Sequence, residues 1–274
     1  MFPSQDKKSF LFITIDSCRY DTFAKANAPH LKSVGALYKA MAPGNFTYSS
    51  HAAMFMGFTP GIATIAKRYV NPKYGKIFKM VNVGFPGKGT EYITLEGRNI
   101  IDGLKKIGYR TLGTAGVGWF DTNTETGKRL TEDFDTFYFS GNTYSLNKQL
   151  MWISEQLSKN AQPSFVFLNI GETHVPYYFE GAPWDKAYNP CVPFSPHNNA
   201  QECQRRQSAC LEYIDRAIAP LVDAFQEASI IICADHGDCW GEDGLWEHGI
   251  HHEKVLEVPL IIRLHNTNHS TKFQ

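Results

Sequence analysis

Five short apolar runs set the tightest limit on how this chain can fold: Phe10 to Ile15, Thr111 to Ala115, Phe165 to Ile170, Ile230 to Ala234 and Leu260 to Leu264. Each is rich in β-branched or aromatic residues, and none alternates cleanly with polar ones. Strands buried on both faces of a parallel sheet read this way. Between them lie stretches with helical spacing. Leu95 to Ile107 carries Leu95, Ile100, Ile101, Leu104 and Ile107, then stops at Gly108. Ser145 to Leu157 and Cys203 to Phe225 behave alike, the latter with Leu211, Ile214, Ile218, Leu221 and Val222 on one face. Strands alternating with helices predict an α/β fold with a mostly parallel, helix-covered sheet.

Charge narrows the function. The 274 residues hold 27 Lys+Arg against 27 Asp+Glu, which argues against a nucleic-acid binder and against polybasic attraction to a membrane. With 43% hydrophobic and 20% charged residues, global disorder is excluded. No run approaches the ~18 apolar residues that a membrane span needs. The start, Met1-Phe2-Pro3-Ser4-Gln5-Asp6-Lys7-Lys8, lacks a cleavage-site pattern, so the expectation is a cytoplasmic protein with reduced thiols. Cys191, Cys203 and Cys210 match no zinc spacing. Residues 58–92 and 176–200 lack periodicity and are rich in Gly, Pro and aromatic residues. We expect one domain over 1–274, with these two segments as insertions near the site.

The chemistry shows in position. Asp16 follows the first run, Glu172 and His174 follow the third, and Asp235 and His236 follow the fourth. In open parallel sheets ligands bind beyond the carboxyl ends of strands, so three strands deliver carboxylates and imidazoles to one edge. One Asp after a strand is an ordinary cap; three deliveries together suit a zinc- or manganese-like divalent ion. A second ingredient is the segment Gly44 to Gly57, a loop entering a short helix, with Thr47 or Ser49 near the N-cap and Gly57 at the stop. A hydroxyl at a helix N-terminus either caps it or attacks an anionic substrate held by the free N–H groups.

Ile15-Asp16-Ser17-Cys18-Arg19-Tyr20-Asp21, Ala28-Pro29-His30-Leu31 and Thr47 to Gly57 together resemble the opening of sulfatase-like enzymes of the alkaline phosphatase superfamily. Glu172-Thr173-His174-Val175-Pro176-Tyr177 is similar to the central element of that family. Ala234-Asp235-His236-Gly237-Asp238, Gly241-Glu242, Glu247-His248-Gly249 and Val258 to Ile262 are similar to its closing block. The resemblance implies a three-layer α/β fold with helices on both faces of the sheet. It implies a metal site of Asp16, Thr47, Asp235 and His236, with Thr47 as nucleophile and one or two ions, zinc or manganese. His174 and His248 would bind a second ion or donate to the substrate. His51, His251, His252 and Glu172 are further candidates near the site.

Departures from the family direct the choice of reaction. Thr47-Tyr48-Ser49-Ser50-His51 offers no Cys or Ser to convert to formylglycine, and lacks the Pro and Arg that accompany it. Asp16-Ser17 replaces a paired Asp, and His248 stands near where a Lys is usual. The expected activity is hydrolysis of small anionic phosphate or phosphonate esters through a covalent phospho-threonine. The alternatives are a phospho-group transferase, a sulfatase without formylglycine, and an inactive metal-binding module. The family commonly adds a small C-terminal subdomain, whereas the sequence stops soon after Leu264, so its contribution to the pocket is expected to be absent or to come from the insertions. Oligomeric state and natural substrate leave no mark in the sequence.

Overall fold

The computed structural model describes residues 2–6, 8–57, 78–82, 91–95, 99–160 and 162–265. Along them run strands β1 (Phe10–Ile15), β2 (Leu37–Met41), β3 (Phe78–Asn82), β4 (Glu91–Leu95), β5 (Arg110–Ala115) and β6 (Thr136–Phe139). Then come β7 (Ser164–Ile170), β8 (Ser229–Ala234), β9 (Cys239–Trp240), β10 (Trp246–Glu247) and β11 (Glu257–Arg263). The main sheet has seven strands in the order β2-β11-β8-β1-β7-β5-β6, and β3–β4 and β9–β10 form two small ladders. β8, β1, β7, β5 and β6 are mutually parallel.

Four of the five predicted strands lie in that parallel block. The fifth is corrected in bounds and in direction. It spans Glu257–Arg263 and runs antiparallel to β8, while β2 pairs antiparallel with its other edge. Periodicity carries no direction; the connection sets it. Parallel neighbours need a crossover that traverses the sheet face, usually a helix, whereas turns, the β9–β10 ladder, a three-residue 3₁₀ segment (Glu242–Gly244) and a four-residue helix lie between β8 and β11.

Helices α1 (Tyr20–Lys25), α2 (Pro29–Ser33), α3 (Thr47–Met56) and α4 (Ile100–Lys106) precede α5 (Glu125–Thr131), α6 (Leu146–Ser158), α7 (Ala200–Ala224) and α8 (Glu253–Leu256). They cover both sheet faces, and the strand side chains divide accordingly. Leu11, Ile13 and Ile15 of β1, Val166, Leu168 and Ile170 of β7, and Ile230 and Ile232 of β8 join an aliphatic core with α6 and α7. Phe10, Phe12, Phe165 and Phe167 point the other way, into an aromatic core with Tyr48 and Phe55 of α3, Ile101 of α4 and Leu130 of α5. Because both faces are buried, these strands show no polar alternation. Truncating a core side chain such as Leu168 to Ala would cost about 2–5 kcal/mol. The result is a three-layer α/β fold, as expected.

Two expectations shift. The helix read over Leu95 to Ile107 begins only at Ile100, where Asn99 caps it by accepting from Asp102 N at 3.0 Å; Leu95 closes β4 instead. The expected insertion at 58–92 falls outside the described residues, apart from β3 and the start of β4. Residues 176–199 lie as turns, and Arg206 of α7 donates to Pro176 O at 3.3 Å and Tyr188 O at 2.8 Å. Among the described residues no helix is long and apolar enough to cross a membrane.

Candidate active site

β1, β7 and β8 end level with one another: Ile15 lies opposite Ile170 on one side and Ala234 on the other. The residues that follow therefore meet at one edge of the sheet. Asp16 N donates to Ile170 O at 2.9 Å and Thr173 Oγ1 donates to Asp16 O at 2.6 Å, which ties the first two strand ends together. Ser17 N donates to Asp235 Oδ1 at 3.1 Å and ties in the third.

Helix α3 brings the hydroxyl. Phe46 is its N-cap and Thr47 its first residue, so neither Thr47 nor Ser49 takes the cap position; Ser49 Oγ donates back to Phe46 O at 2.9 Å. A Cβ at Gly44 would lie 2.2 Å from Ser49 Oγ and 2.8 Å from Ser50 N, so only glycine lets the incoming loop pass. Gly57, at φ 66°, ends the helix as expected.

Freed from capping, Thr47 Oγ1 donates to Asp16 Oδ2 at 3.2 Å and stands 3.4 Å from His236 Nε2. His236 Nδ1 faces Gly237 O at 3.0 Å; a carbonyl only accepts, so Nδ1 carries the hydrogen and Nε2 offers its lone pair. Burial, then the neighbouring His248, holds the His236 pKa down to about 3, so the ring is neutral at physiological pH. Asp235 Oδ1 accepts from Ser17 N and from His236 N at 2.9 Å, while Oδ2 is buried with no hydrogen-bond partner. Burial, then the charge of Asp16, pushes the Asp235 carboxyl well above the usual range. At Asp16 burial also opposes ionisation, but His174, His236, His51 and His248 outweigh it and lower the pKa.

A cation fits this arrangement. Asp16, Thr47, Asp235 and His236 are all 0% exposed, and the orphaned Asp235 Oδ2 lies 3.6 Å from His236 Nε2. His236 Nε2 is 3.7 Å from Asp16 Oδ1. Donors sharing an ion at about 2.0–2.2 Å in tetrahedral geometry lie about 3.3–3.6 Å apart, and His236 Nε2 stands 3.4 Å from Thr47 Oγ1, 3.6 Å from Asp235 Oδ2 and 3.7 Å from Asp16 Oδ1. Imidazole, hydroxyl and carboxylate donors suit zinc.

Beside this cluster lies a second one, His236, Asp238 and His248, also spaced to hold an ion. His248 Nδ1 donates to Asp238 Oδ1 at 2.7 Å, and His174 Nδ1 donates to Val175 O at 3.0 Å. Both rings therefore present Nε2. The His248 ring centroid lies 4.4 Å from that of His236 and 5.2 Å from that of His174. Burial disfavours charge on His248, but the hydrogen bond to Asp238 overrides it and raises the pKa. His174 and His248 are the partly exposed members of the set.

The other candidates divide. His51 backs the site: Nδ1 donates to Thr47 O at 2.7 Å, Nε2 accepts from Thr14 Oγ1 at 2.9 Å, and burial lowers its pKa to about 4. Neutral at that value, it forms no ion pair with Asp235 at 3.7 Å. Glu172 turns away, with Oε1 accepting from Leu146 N at 2.8 Å at the start of α6. His252 caps α8 by accepting from Lys254 N, and His251 is exposed; neither joins the metal-spaced groups. Two residues were missed. Asp238 Oδ2 accepts from Tyr177 OH at 2.9 Å, and that oxygen accepts in turn from Trp240 Nε1 at 2.7 Å. Both stand inside motifs already quoted, Asp235-His236-Gly237-Asp238 and His174-Val175-Pro176-Tyr177, so their motif membership was the signal available.

A cleft of about 460 Å³ opens beside His248, between Pro193–Pro196 and Leu245–Ile250. A larger one of about 990 Å³ lies on α6 and α7 around Met151 and Trp152 and contains none of these side chains.

Comparison with solved structures returns the same fold. The C-terminal periplasmic domain of phosphoethanolamine transferase EptC from Campylobacter jejuni is 16% identical, with TM-score 0.61 over 96% of this chain and 83% of that one. The corresponding domain of EcEptC from Escherichia coli, in complex with zinc, is 13% identical with TM-score 0.64 over 96% and 77%. A protein of the alkaline phosphatase superfamily from Vibrio parahaemolyticus is 17% identical with TM-score 0.56 over 97% of this chain, which spans only 62% of that protein. No curated protein matches. The sulfatase family model matches residues 8–273. On that match, covering nearly its whole length, the chain belongs to the sulfatase family.

Proposed function

We propose that the chain transfers a phospho-group from a small anionic ester to Thr47, and from Thr47 to an acceptor hydroxyl, with water as the acceptor when no other is bound. The observation that carries this reading is the placement of Thr47 Oγ1, released from capping and held 3.2 Å from Asp16 Oδ2 and 3.4 Å from His236 Nε2. The solved phosphoethanolamine transferase domains lend it support on the transferase side. A complete donor set speaks against the inactive-module reading, and a threonine in this position speaks against formylglycine chemistry.

Asp16, Thr47, Asp235 and His236 would hold a zinc-class ion, which when bound lowers the pKa of the Thr47 hydroxyl and offsets charge on the transferred group. Asp16 Oδ2 accepts the Thr47 hydrogen bond, orients Oγ1 and takes its proton as Oγ1 attacks. The Oγ1–P bond forms as the bond from phosphorus to the leaving oxygen breaks, and that oxygen collects a proton. His248 is the donor the geometry favours, since Asp238 fixes its Nδ1–H and leaves Nε2 toward the site. In the second step the acceptor oxygen bonds phosphorus, Oγ1 leaves and recovers its proton from Asp16, and the acceptor's proton passes to the same imidazole.

The test is an acid quench during turnover of p-nitrophenyl phosphate and bis-p-nitrophenyl phosphate, followed by peptide mass spectrometry. The expected adduct on Thr47 in the wild type is a phosphoryl group from the monoester and a p-nitrophenylphosphoryl group from the diester, with none in Thr47→Ala. Adding a primary alcohol should divert product from inorganic phosphate to the alkyl phosphate. Steady turnover by Thr47→Ala would overturn the reading.

A further inference from the structure

The cleft beside His248 has uncharged walls. Phe194 and Pro196 form one side and Leu245, Trp246 and Ile250 the other, with His248 where it meets the candidate site. Among the described residues no Asp, Glu, Lys or Arg lines it. Ser195 and His248 are its polar side chains besides the Trp246 indole, so a nucleotide or a sulfated sugar seated there would lose hydration without gaining a charged partner along the apolar walls.

Phe194 is the unusual wall. It is 103% exposed, sits between Pro193 and Pro196, and holds φ at 62°. The facing loop is held in the same way, with Asp243 at φ 51° and Glu247 at φ 71°. A phenyl ring standing in water on a backbone that disfavours side chains is costly twice over. Segments held so against their intrinsic preference cluster at ligand clamps. Leu245 adds a second exposed apolar side chain across the gap, at 37%. The cleft leads directly to the His248 ring, which lies 4.4 Å from that of His236. His248 thus belongs both to the cleft wall and to the candidate site.

We infer that this cleft receives an uncharged apolar group, aryl or alkyl, carried by the ester substrate of the Thr47 site. The inference rests on the proposed function and narrows its substrate class. An apolar cavity of about 150 Å³ holds one benzene, so about 460 Å³ takes a bicyclic ring or a medium alkyl chain.

Methyl-, butyl- and octylphosphonate, competing against p-nitrophenyl phosphate turnover by the metal-loaded protein, test the cleft. Octylphosphonate should bind at least about 10-fold tighter than methylphosphonate, and that ratio should fall below about 3 in Phe194→Ala and in Leu245→Ser, because each added methylene is buried against those walls. A ratio near one in the wild type, or one unchanged in both variants, overturns the inference. A second measurement needs no turnover. Neutral 1-naphthol, followed by its own emission, should bind the wild type and bind Leu245→Ser at least about 5-fold more weakly; equal binding overturns the inference. Should naphthol behave as expected while Thr47→Ala still turns over ester, the Thr47 reading falls and the cleft stands. Should phospho-Thr47 form while both apolar series stay flat, only the cleft assignment falls.

Discussion

The two halves of the candidate site are built by different means. Around Asp235 every member is fully buried and is placed by the level ends of three parallel strands and the first residue of α3. Its carboxylate is pinned by main-chain N–H groups of Ser17 and His236, which have no rotamers to choose from. Around Asp238 the placement comes from side chains: Tyr177, Trp240 and a His248 that is 15% exposed on a turn where Glu247 and Gly249 hold positive φ. The first half is rigid before any substrate arrives, which suits concentrating charge where a transition state needs it. In the second half Asp238, Tyr177 and Trp240 are buried as well, and His248 alone reaches the entrance, held by side-chain hydrogen bonds in place of main-chain ones. Placement by sheet register and placement by side-chain relay sit about one imidazole apart.

Breaking the rigid half should have the largest effect. Asp235→Ala removes the unpartnered oxygen and strands two buried N–H groups. The ion of the Asp235 cluster should be lost, leaving at most one at His236, Asp238 and His248, and ester turnover should fall by at least about 10³-fold, the loss expected when an activated nucleophile is disabled. Metal analysis and turnover are read on the same preparation. His248→Ala should cost less, about 10²-fold in turnover, in line with removing one pre-placed donor, while the ion bound by the Asp235 cluster is retained. If His248→Ala strips the metal as thoroughly as Asp235→Ala, the two halves act as one unit and the contrast drawn here is wrong.

How much of this was legible follows from the same contrast. β1, β5, β7 and β8 could be read because burial on both faces leaves continuous apolar runs. Asp16, Asp235 and His236 could be read because each follows such a run. β2 could not: at the sheet edge, with Tyr38 55% and Met41 61% exposed, Leu37–Met41 carries no burial pattern. β6, a four-residue edge strand, is equally silent. The direction of β11 is a property of its connection, not of its residues. Glu172 misled because it shares a strand end with His174 while its carboxyl points to α6. Asp238 stood in a quoted motif, yet its role depends on Tyr177, 61 positions away, and that pairing exists only in three dimensions.

The relay in the second half can be sharpened by Tyr177→Phe. It removes one hydrogen bond to Asp238 Oδ2 and leaves Trp240 Nε1 without its acceptor. A positioning role predicts a fall in kcat of about 3- to 10-fold with KM nearly constant, the worth of roughly one net hydrogen bond. A change confined to KM would assign Tyr177 to substrate contact instead.

The smallest effect on turnover is expected at Glu172, which lies beside the site in sequence and outside it in space. Its Oε1 accepts from Leu146 N, its Oε2 is buried without a partner, and burial raises its pKa to about 8. That folded value stands above the ordinary 4.5 of the unfolded chain, so between those pH values the folded state holds a proton that the unfolded state releases. Wild-type stability is therefore full below pH 4.5 and declines as pH rises toward about 8. Glu172→Gln keeps the acceptor for Leu146 N and never ionises. Relative to wild type it should gain on the order of 1–3 kcal/mol between pH 5 and pH 9, with turnover changed less than about 3-fold. Urea midpoints at pH 5, 7 and 9 measure the gain. Parallel curves for the two proteins would mean that the carboxyl is not held neutral. A large loss of turnover would return Glu172 to the metal site from which its hydrogen bond to α6 removes it.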